Sequence, residues 1–405
     1  MPKKILLLGG SEQQIIAITT ANKLGYTTIL CDYLSDNPGQ KYADKFYLVS
    51  TTDKDAVLSV AEEEKIDGIV AYASDPAAPT AAYVAEKLGL QGIPYKTAQA
   101  FCEKNLFRAF LEKNDFNVPR SLTTTVEDFL PDLLNGFSFP VIVKPSDSSG
   151  SKGVSVVDST LGIDGALREA NQFSRNGNII IEEFISRDHR HVIEAEIFIV
   201  DGEVAIWGLI NSIRDEKSNP LVPAAYSYPL DLSKDREALV KKEVSHLVKK
   251  ANIQNGAMNI EMIIDEHDRL FFLDVGPRNG GNMLPDFISK IFGVDLIAAT
   301  IKVAMGESVV LGKNSDLQGY GYWGLGVLHS TRKGFFHNIV YTPEAQRSLI
   351  KDFIQVKPHD EVSSFMKCTD LLGLAFFRFD SRSQMDEVMN DFANSAYVEL
   401  ENKKQ

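Results

Sequence analysis

The stretch VIVKPSDSSGSKGV, residues 141–154, sets two lysines, four serines and two glycines between two apolar runs. FPVIVKP before it and GVSVVDS after it both read as strands, so the polar stretch is the loop of a hairpin. Such a loop is either a solvated turn or a cradle whose backbone N–H groups and hydroxyls close over phosphate oxygens. A Walker A loop needs GxxxxGK[ST] opening a helix. Here Lys152 stands two residues after Gly150, and the chain's Gly312-Lys313 pair is followed by Asn314 and lies one residue too far from Gly306. Spacing therefore excludes a P-loop. Lys144, at the strand end before the loop, has a solvated surface lysine as its ordinary alternative.

Working back to the N-terminus, residues 3–92 alternate strand and helix: KILLLG, QQIIAITTANKLG, YTTILCD, DAVLSVAEEEK, IDGIVAYA, PTAAYVAEKLGL. Strands separated by single helices imply a doubly wound parallel α/β domain. Gly9 and Gly10 follow the first strand, but GGSEQQ lacks the third glycine of a dinucleotide fingerprint and reads as a tight turn. SDPAAPT reads as a helix start capped by Ser74 or Asp75, with Pro79 in the first turn. AFCEKNLFRAFLEKNDF reads as one amphipathic helix, and the first domain boundary falls near Lys96.

Working forward, the pattern becomes mixed α+β. A helix is expected around VEDFLPDLLN, strands at NIIIEEFI, HVIEAEIFIVDGEVAIWGLI, MNIEMIID and RLFFLDVG, and helices at ALVKKEVSHLVKKAN and DFISKIFGVDLIAATIKVAMG. The last hundred residues offer YGYWGLGVLHS, LIKDFIQV and LLGLAFFRFDS as strands that complete a sheet, then a polar helix SQMDEVMNDFANSA and a fraying tail, ENKKQ. The domains expected are 1–96, 97–307 with a subdomain at about 118–186, and 308–405.

Length, with 44% hydrophobic and 24% charged residues, indicates a multi-unit globular chain. A formal charge of -13 argues against nucleic acid and anionic membrane as partners. Cys31, Cys102 and Cys368 are too scattered for a zinc site or disulfide framework, which points to a reducing cytoplasm.

Two further constellations carry chemistry. In NIEMIIDEHDRLFFLDVGPRNGGN, residues 259–282, a hairpin would bring Glu261 and Asp274 side by side. Paired carboxylates in a β-rich core need a cation between them, and magnesium held by one or two carboxylates plus phosphates meets that need. The alternative for Glu261 is a solvated strand position. Arg278 offers a fork of donors for phosphate or carboxylate, with a surface salt bridge as its plain reading. IIIEEFI, residues 179–185, is either a sheet edge or a place to hold a purine, backbone groups reading the base edge and a carboxylate its amino group.

In this order and spacing, Lys104, PVIVKP with Lys144, SSGSKGV, EEFI, Glu261 and LDVGPRNGG resemble the ATP-grasp superfamily, whose members include biotin carboxylase, D-alanine ligase, purine-biosynthetic carboxylases and L-amino-acid ligases. The resemblance covers roughly residues 1–310. It implies a central grasp fold of two α+β subdomains behind the N-terminal α/β domain. It assigns Lys104 and Lys144 to the nucleotide and the loop Ser148, Ser149, Gly150, Ser151, Lys152, Gly153, Val154 to a phosphate lid, with Lys152 beside the chemistry. Glu182, Glu183, Phe184 and Ile185 match the adenine hinge, chiefly through backbone groups of Glu183 and Ile185; Glu261 and Asp274 match the magnesium ligands, and Arg278 the arginine at the transferring phosphate. Two departures stand out. The usual Glu-x-Asn-Pro-Arg reads Asp274, Val275, Gly276, Pro277, Arg278, so an amide ligand is missing unless Asn279 or Asn282 replaces it. The ribose-binding acid is open among Asp188, Glu194 and Glu196, while His189 and His191 read as surface residues.

The implied activity is an ADP-forming carboxylate–amine ligase using ATP and Mg2+, or Mn2+, on small-molecule carboxylate and amine substrates, an amino acid or peptide being favoured. NSIRDEKSNPLVPAAYSYP, with Arg214, is either part of the acceptor pocket or a surface loop. The rivals are a bicarbonate-using carboxylase and a non-catalytic nucleotide-binding regulator. A homodimer is expected by resemblance alone.

Overall fold

The computed structural model describes residues 2–311 and 319–401; Gly312, Lys313, Asn314 and the last four residues of ENKKQ lie outside the described residues. The N-terminal strands Lys4–Leu8, Thr27–Asp32, Lys45–Leu48 and Gly68–Val70 form a parallel sheet with Lys45–Leu48 at one edge and Lys4–Leu8 between Thr27–Asp32 and Gly68–Val70. KFYL escaped the sequence reading because an edge strand that is half exposed along its length has no apolar alternation.

Period two distributes this sheet's side chains. Leu6, Leu8, Ile29 and Cys31 pack on Val57, Val60 and Val84 of the two following helices. Ile5, Leu7 and Leu30 face the other way, onto Ala17 and Ile18, and also onto Ile297, Ile301 and Ala304 from far along the chain. Gly68 permits that approach: a Cβ there would lie 2.5 Å from the Ala304 carbonyl oxygen.

The centre is an eight-stranded antiparallel sheet in the order Leu270–Gly276, Gly256–Ile264, Val192–Val200, Glu203–Asp215, Asn219–Tyr228, Tyr322–Leu328, Gly373–Phe379, Leu349–Ile354. Its last three strands are those read from the C-terminal hundred residues, and they complete the sheet. A smaller antiparallel sheet, Ser121–Thr124, Ile179–Glu183, Val141–Pro145, Ser155–Val157, carries the loop that opened the sequence reading; Val141 pairs with Val157 and Val143 with Ser155. Helix Ile163–Phe173 covers this sheet with Ile163, Ala166, Leu167 and Ala170. A third small sheet joins Glu361–Val362, Gly334–Tyr341 and Ala396–Leu400.

Several expected elements are corrected. AFCEKNLFRAFLEKNDF is two helices, Tyr95–Cys102 and Lys104–Lys113, broken by Glu103 in an extended conformation. VEDFLPDLLN holds no α-helix, only a short 3-10 turn at Pro131–Leu134, since Pro131 has no N–H to continue a helix begun before it. DFISKIFGVDLIAATIKVAMG is two helices, Leu284–Phe292 and Leu296–Ala304, parted by Gly293 in the left-handed region. The terminal polar helix is likewise split, Arg382–Met389 and Phe392–Ser395. NSIRDEKSNPLVPAAYSYP is no loop; it is the end of strand Glu203–Asp215, a short turn, and strand Asn219–Tyr228.

Candidate active site

The break at Glu103 decides where Lys104 goes. The Lys104 N–H donates to Ser146 O at 2.7 Å, and its ammonium donates to Ser148 O at 2.7 Å, tying the second helix to the base of the loop. One turn on, Arg108 lies on the same helical face. It is buried, donating to both Glu182 oxygens at 2.6 and 3.3 Å and to the carbonyls of Phe272 and Leu273 at 3.1 and 3.0 Å. Lys144 completes the group at 2.6 Å from Glu182.

Burial alone would push the Glu182 carboxyl up, but Arg108 and Lys144 outweigh it and hold the group ionised down to about 2. Burial draws the Lys144 ammonium down from its ordinary value. The Glu182 carboxylate is thus committed to two cations and is not free for a purine's amino group. The Glu183 N–H donates to Arg120 O and the Phe184 N–H to Pro140 O, while Ile185 stands at the cavity wall.

These residues line a cavity of about 690 Å³. Ile142, Val156, Phe184, Ile263, Phe271 and Leu273 make one part of its wall apolar; Lys104, Lys144 and Ser148–Lys152 make another part cationic and rich in donors. That polarity suits a flat base joined to a phosphate chain. Ser151 Oγ donates to Leu221 O at 2.9 Å, so the loop already touches the large sheet. Gly153 needs its φ of +67°, and a Cβ there would press on Phe173 at 2.8 Å.

Glu261 and Asp274 are direct partners across the hairpin. Both also line a second cavity of about 300 Å³ that shares Ser149, Gly150, Ser151 and Lys152 with the first. Glu261 is no solvated strand residue: its carboxylate lies 3.2 Å from Arg214, whose side chain is 7% exposed. Asp274 lies 3.8 Å from Lys104. Two carboxylates in register fit one magnesium ion that takes its other ligands from phosphates and water. Among the described residues no group of three or more His, Cys, Asp or Glu is placed to hold an ion without such help. The Asn279 amide N–H donates to Glu196 at 3.4 Å and that of Asn282 to Tyr226 at 3.1 Å; of the two, Asn282 lines the second cavity with Glu261 and Asp274.

Gly276 has a structural reason. A Cβ there would lie 2.6 Å from Arg278 Cζ and 2.7 Å from Asp75 Oδ1. The space is used by an ion pair, Arg278 Nη2 to Asp75 Oδ2 at 2.6 Å, that ties the N-terminal region to the carboxylate strand. Burial would lower the Arg278 pKa, but Asp75 more than offsets this and raises it above the ordinary arginine value. Asp75 therefore does not cap the following helix, which starts at Ala78 without a side-chain cap and with Pro79 in its first turn.

Of the three ribose candidates, Asp188 is held by Arg236 at 2.8 Å, Glu196 is wholly buried under the Gly280 N–H, and Glu194 faces the second cavity. Burial pushes both Glu194 and Glu196 up to about 8. His189 is no plain surface residue: its Nε2 accepts from the Ile264 N–H at 2.9 Å, and the ring lines the first cavity. Sequence reasoning missed Arg108 and Asp75. Arg108 was visible as the residue four after Lys104 on an amphipathic helix; Asp75 had no such signal, its partner being 203 residues away.

The serine- and glycine-rich hairpin loop thus borders both cavities, and the paired carboxylates stand where the two meet. Residues 103–311 match the family described as carbamoyl-phosphate synthase L chain, ATP binding domain, and the chain belongs to that family within the ATP-grasp superfamily of ATP-dependent ligases and carboxylases. The carbamoyl phosphate synthase large chain of Thermotoga petrophila is 22% identical over 324 residues, 76% of this chain; the match spans only 29% of that relative's length. Among solved structures, L-amino acid ligase from Bacillus licheniformis superposes with a TM-score of 0.80 at 19% identity, over 99% of each chain. Phosphoribosylglycinamide synthetase from Anaerococcus prevotii gives 0.76 at 20% identity, over 99% of this chain and 100% of that one. No helix among the described residues is long and apolar enough to cross a membrane.

Proposed function

We propose that the chain is an ADP-forming carboxylate–amine ligase. The observation that carries this is the meeting of two cavities at Glu261 and Asp274, one shaped for a nucleotide and one large enough for an organic acid. In the first step a substrate carboxylate oxygen attacks the ATP γ-phosphorus; the new O–P bond forms as the bond to the β-phosphate oxygen breaks, giving an acyl phosphate and ADP. In the second an amine attacks the acyl carbon, the C–N bond forms, phosphate leaves, and the nitrogen gives up a proton.

Lys104, Lys144 and the backbone of Ser148–Val154 hold the nucleotide, with Glu183, Phe184 and Ile185 along the base and Glu182 fixing Lys144. Lys152 and Arg278 take the charge that develops on the transferring phosphoryl group. Magnesium, or manganese, held by Glu261 and Asp274 would neutralise phosphate charge. The same reading keeps residues 1–96, 97–307 and 308–405 as the functional divisions, with 118–186 as the lid.

A biotin carboxylase domain solved with bicarbonate is among the similar structures and favours a second reading, a carboxylase acting on bicarbonate. The test is ADP release from magnesium-ATP with pooled carboxylates, with and without pooled amines and bicarbonate, beside Asp274→Ala. Release that needs both carboxylate and amine and is lost in the variant supports the ligase. Bicarbonate-dependent release without amine moves the reading to a carboxylase, and nucleotide binding without any release moves it to a regulator.

A further inference from the structure

Four carboxylates line the smaller cavity: Asp75, Glu194, Glu261 and Asp274. Three already face a cation, Asp75 with Arg278 at 2.6 Å, Glu261 with Arg214 at 3.2 Å, and Asp274 with Lys104 at 3.8 Å. Glu194 differs. It is 2% exposed, its Oε1 accepts only the neutral amide of Asn259 at 2.7 Å, and its Oε2 has no partner among the described residues. A buried carboxylate oxygen left unmatched costs stability, and the cost is recovered when a donor arrives.

The donor is either a metal ion or an ammonium group. The Glu261 carboxylate stands in register opposite Glu194 but is already paired with Arg214 at 3.2 Å, and the Asn259 amide N–H2 reaches both Glu194 and Glu196. An ammonium needs one charged acceptor and a small space. On the same cavity Arg278 keeps its Nε buried and unpartnered, a donor for a carboxylate. Ala73, Leu284 and Leu371 supply an apolar wall.

We propose that Glu194 is a specificity-determining residue that reads a protonated amino group, so that the acid activated at this site is an α-amino acid or peptide with an apolar side chain. The inference rests on the ligase reading of the same cavity. The substrate carboxylate lies towards Arg278 and the metal carboxylates, its own ammonium on Glu194, and its side chain against the Leu284 wall.

The test is binding to the full chain with MgADP present, by calorimetry, of the twenty L-amino acids singly and then of the des-amino analogue of the best binder. Wild type is expected to prefer the amino acid by on the order of 100-fold, the discrimination of a site built around a buried polar group. Glu194→Gln should erase that preference while leaving MgADP affinity unchanged. In turnover it should raise KM for the amino acid far more than it lowers kcat.

No binding by any amino acid, retained discrimination in Glu194→Gln, or a changed Mg2+ requirement with intact discrimination would each overturn the assignment. If Glu194→Gln does not fold, the wild-type ratio between the two ligands still decides. Amino-acid binding through Glu194 without ADP release would sink the ligase and spare Glu194; ADP release with des-amino acids alone would do the reverse.

Discussion

Replacing Arg108 with methionine tests how the nucleotide end of the site is held. Methionine keeps most of the stem volume and removes the guanidinium. The loss comprises both bonds to Glu182 and the donors to Phe272 O and Leu273 O. Breaking a buried ion pair costs about 3–5 kcal/mol. Lys144 stays 2.6 Å from Glu182, which argues for the low end, and the two strand carbonyls add about 1 kcal/mol between them once relaxation is allowed for. The expected local cost is therefore about 4 kcal/mol, roughly a 1000-fold loss of amide protection where opening exposes these strands.

A chain of several cores need not unfold in one step, so the assay is native-state hydrogen exchange at Ile179–Glu183 and Leu270–Gly276 rather than a single melting curve. The double variant with Glu182→Gln should be less labile than the sum of the two singles, because both remove the same Arg108–Glu182 pair, even though it also strips Lys144 of its carboxylate. A change under about fivefold at both strands, or a double variant as labile as the sum of the singles, would refute the reasoning.

Gly276→Ala should part Arg278 from Asp75 as surely as Gly276→Asn, because the added Cβ alone is too close to both; a crystal structure of the variant with the pair intact would contradict this. Lys104→Met should weaken MgADP binding by on the order of 10- to 100-fold and also loosen the lid through the lost bond to Ser148 O, read by calorimetry and by protease cleavage within residues 146–154. The Glu182 carboxylate has a folded value near 2, below its unfolded value of about 4.3. Its contribution, about 3 kcal/mol, is present above pH 4.3 and lost as pH falls towards 2. Acid titration of hydrogen exchange at Ile179–Glu183 should show that loss in wild type and a flatter profile in Glu182→Gln.

The parallel N-terminal sheet and the lid hairpin were legible because both rest on short-range signals, apolar runs of the right length and a polar loop between two of them. The C-terminal strands were legible for the same reason. Helix breaks were not: Glu103 carries no local stop signal, and at the second break the signals that do exist, Gly293 as a left-handed cap and Asp295 capping the next helix, lie inside one long apolar run. Asn219–Tyr228 was obscured by its prolines, which an interior strand tolerates here at a register irregularity against Asp215. At the site, residue types at fixed offsets pointed to Lys104, Lys144, Glu261 and Asp274. The ion pairs behind them, Arg108 with Glu182, Asp75 with Arg278 and Arg214 with Glu261, each join separate elements, and no local pattern reports such a pairing.

Helix Leu296–Ala304 lies on a sheet whose strands end at residue 70, and this bears on how the chain is made. Until that helix leaves the ribosome, Ile5, Leu7 and Leu30 lack the cover of Ile297 and Ile301. At ribosomal speeds the wait is roughly 10–40 s. The first part of the chain to be synthesised is therefore among the last to be finished, and a nascent chain stalled before residue 296 presents an apolar sheet face to chaperones.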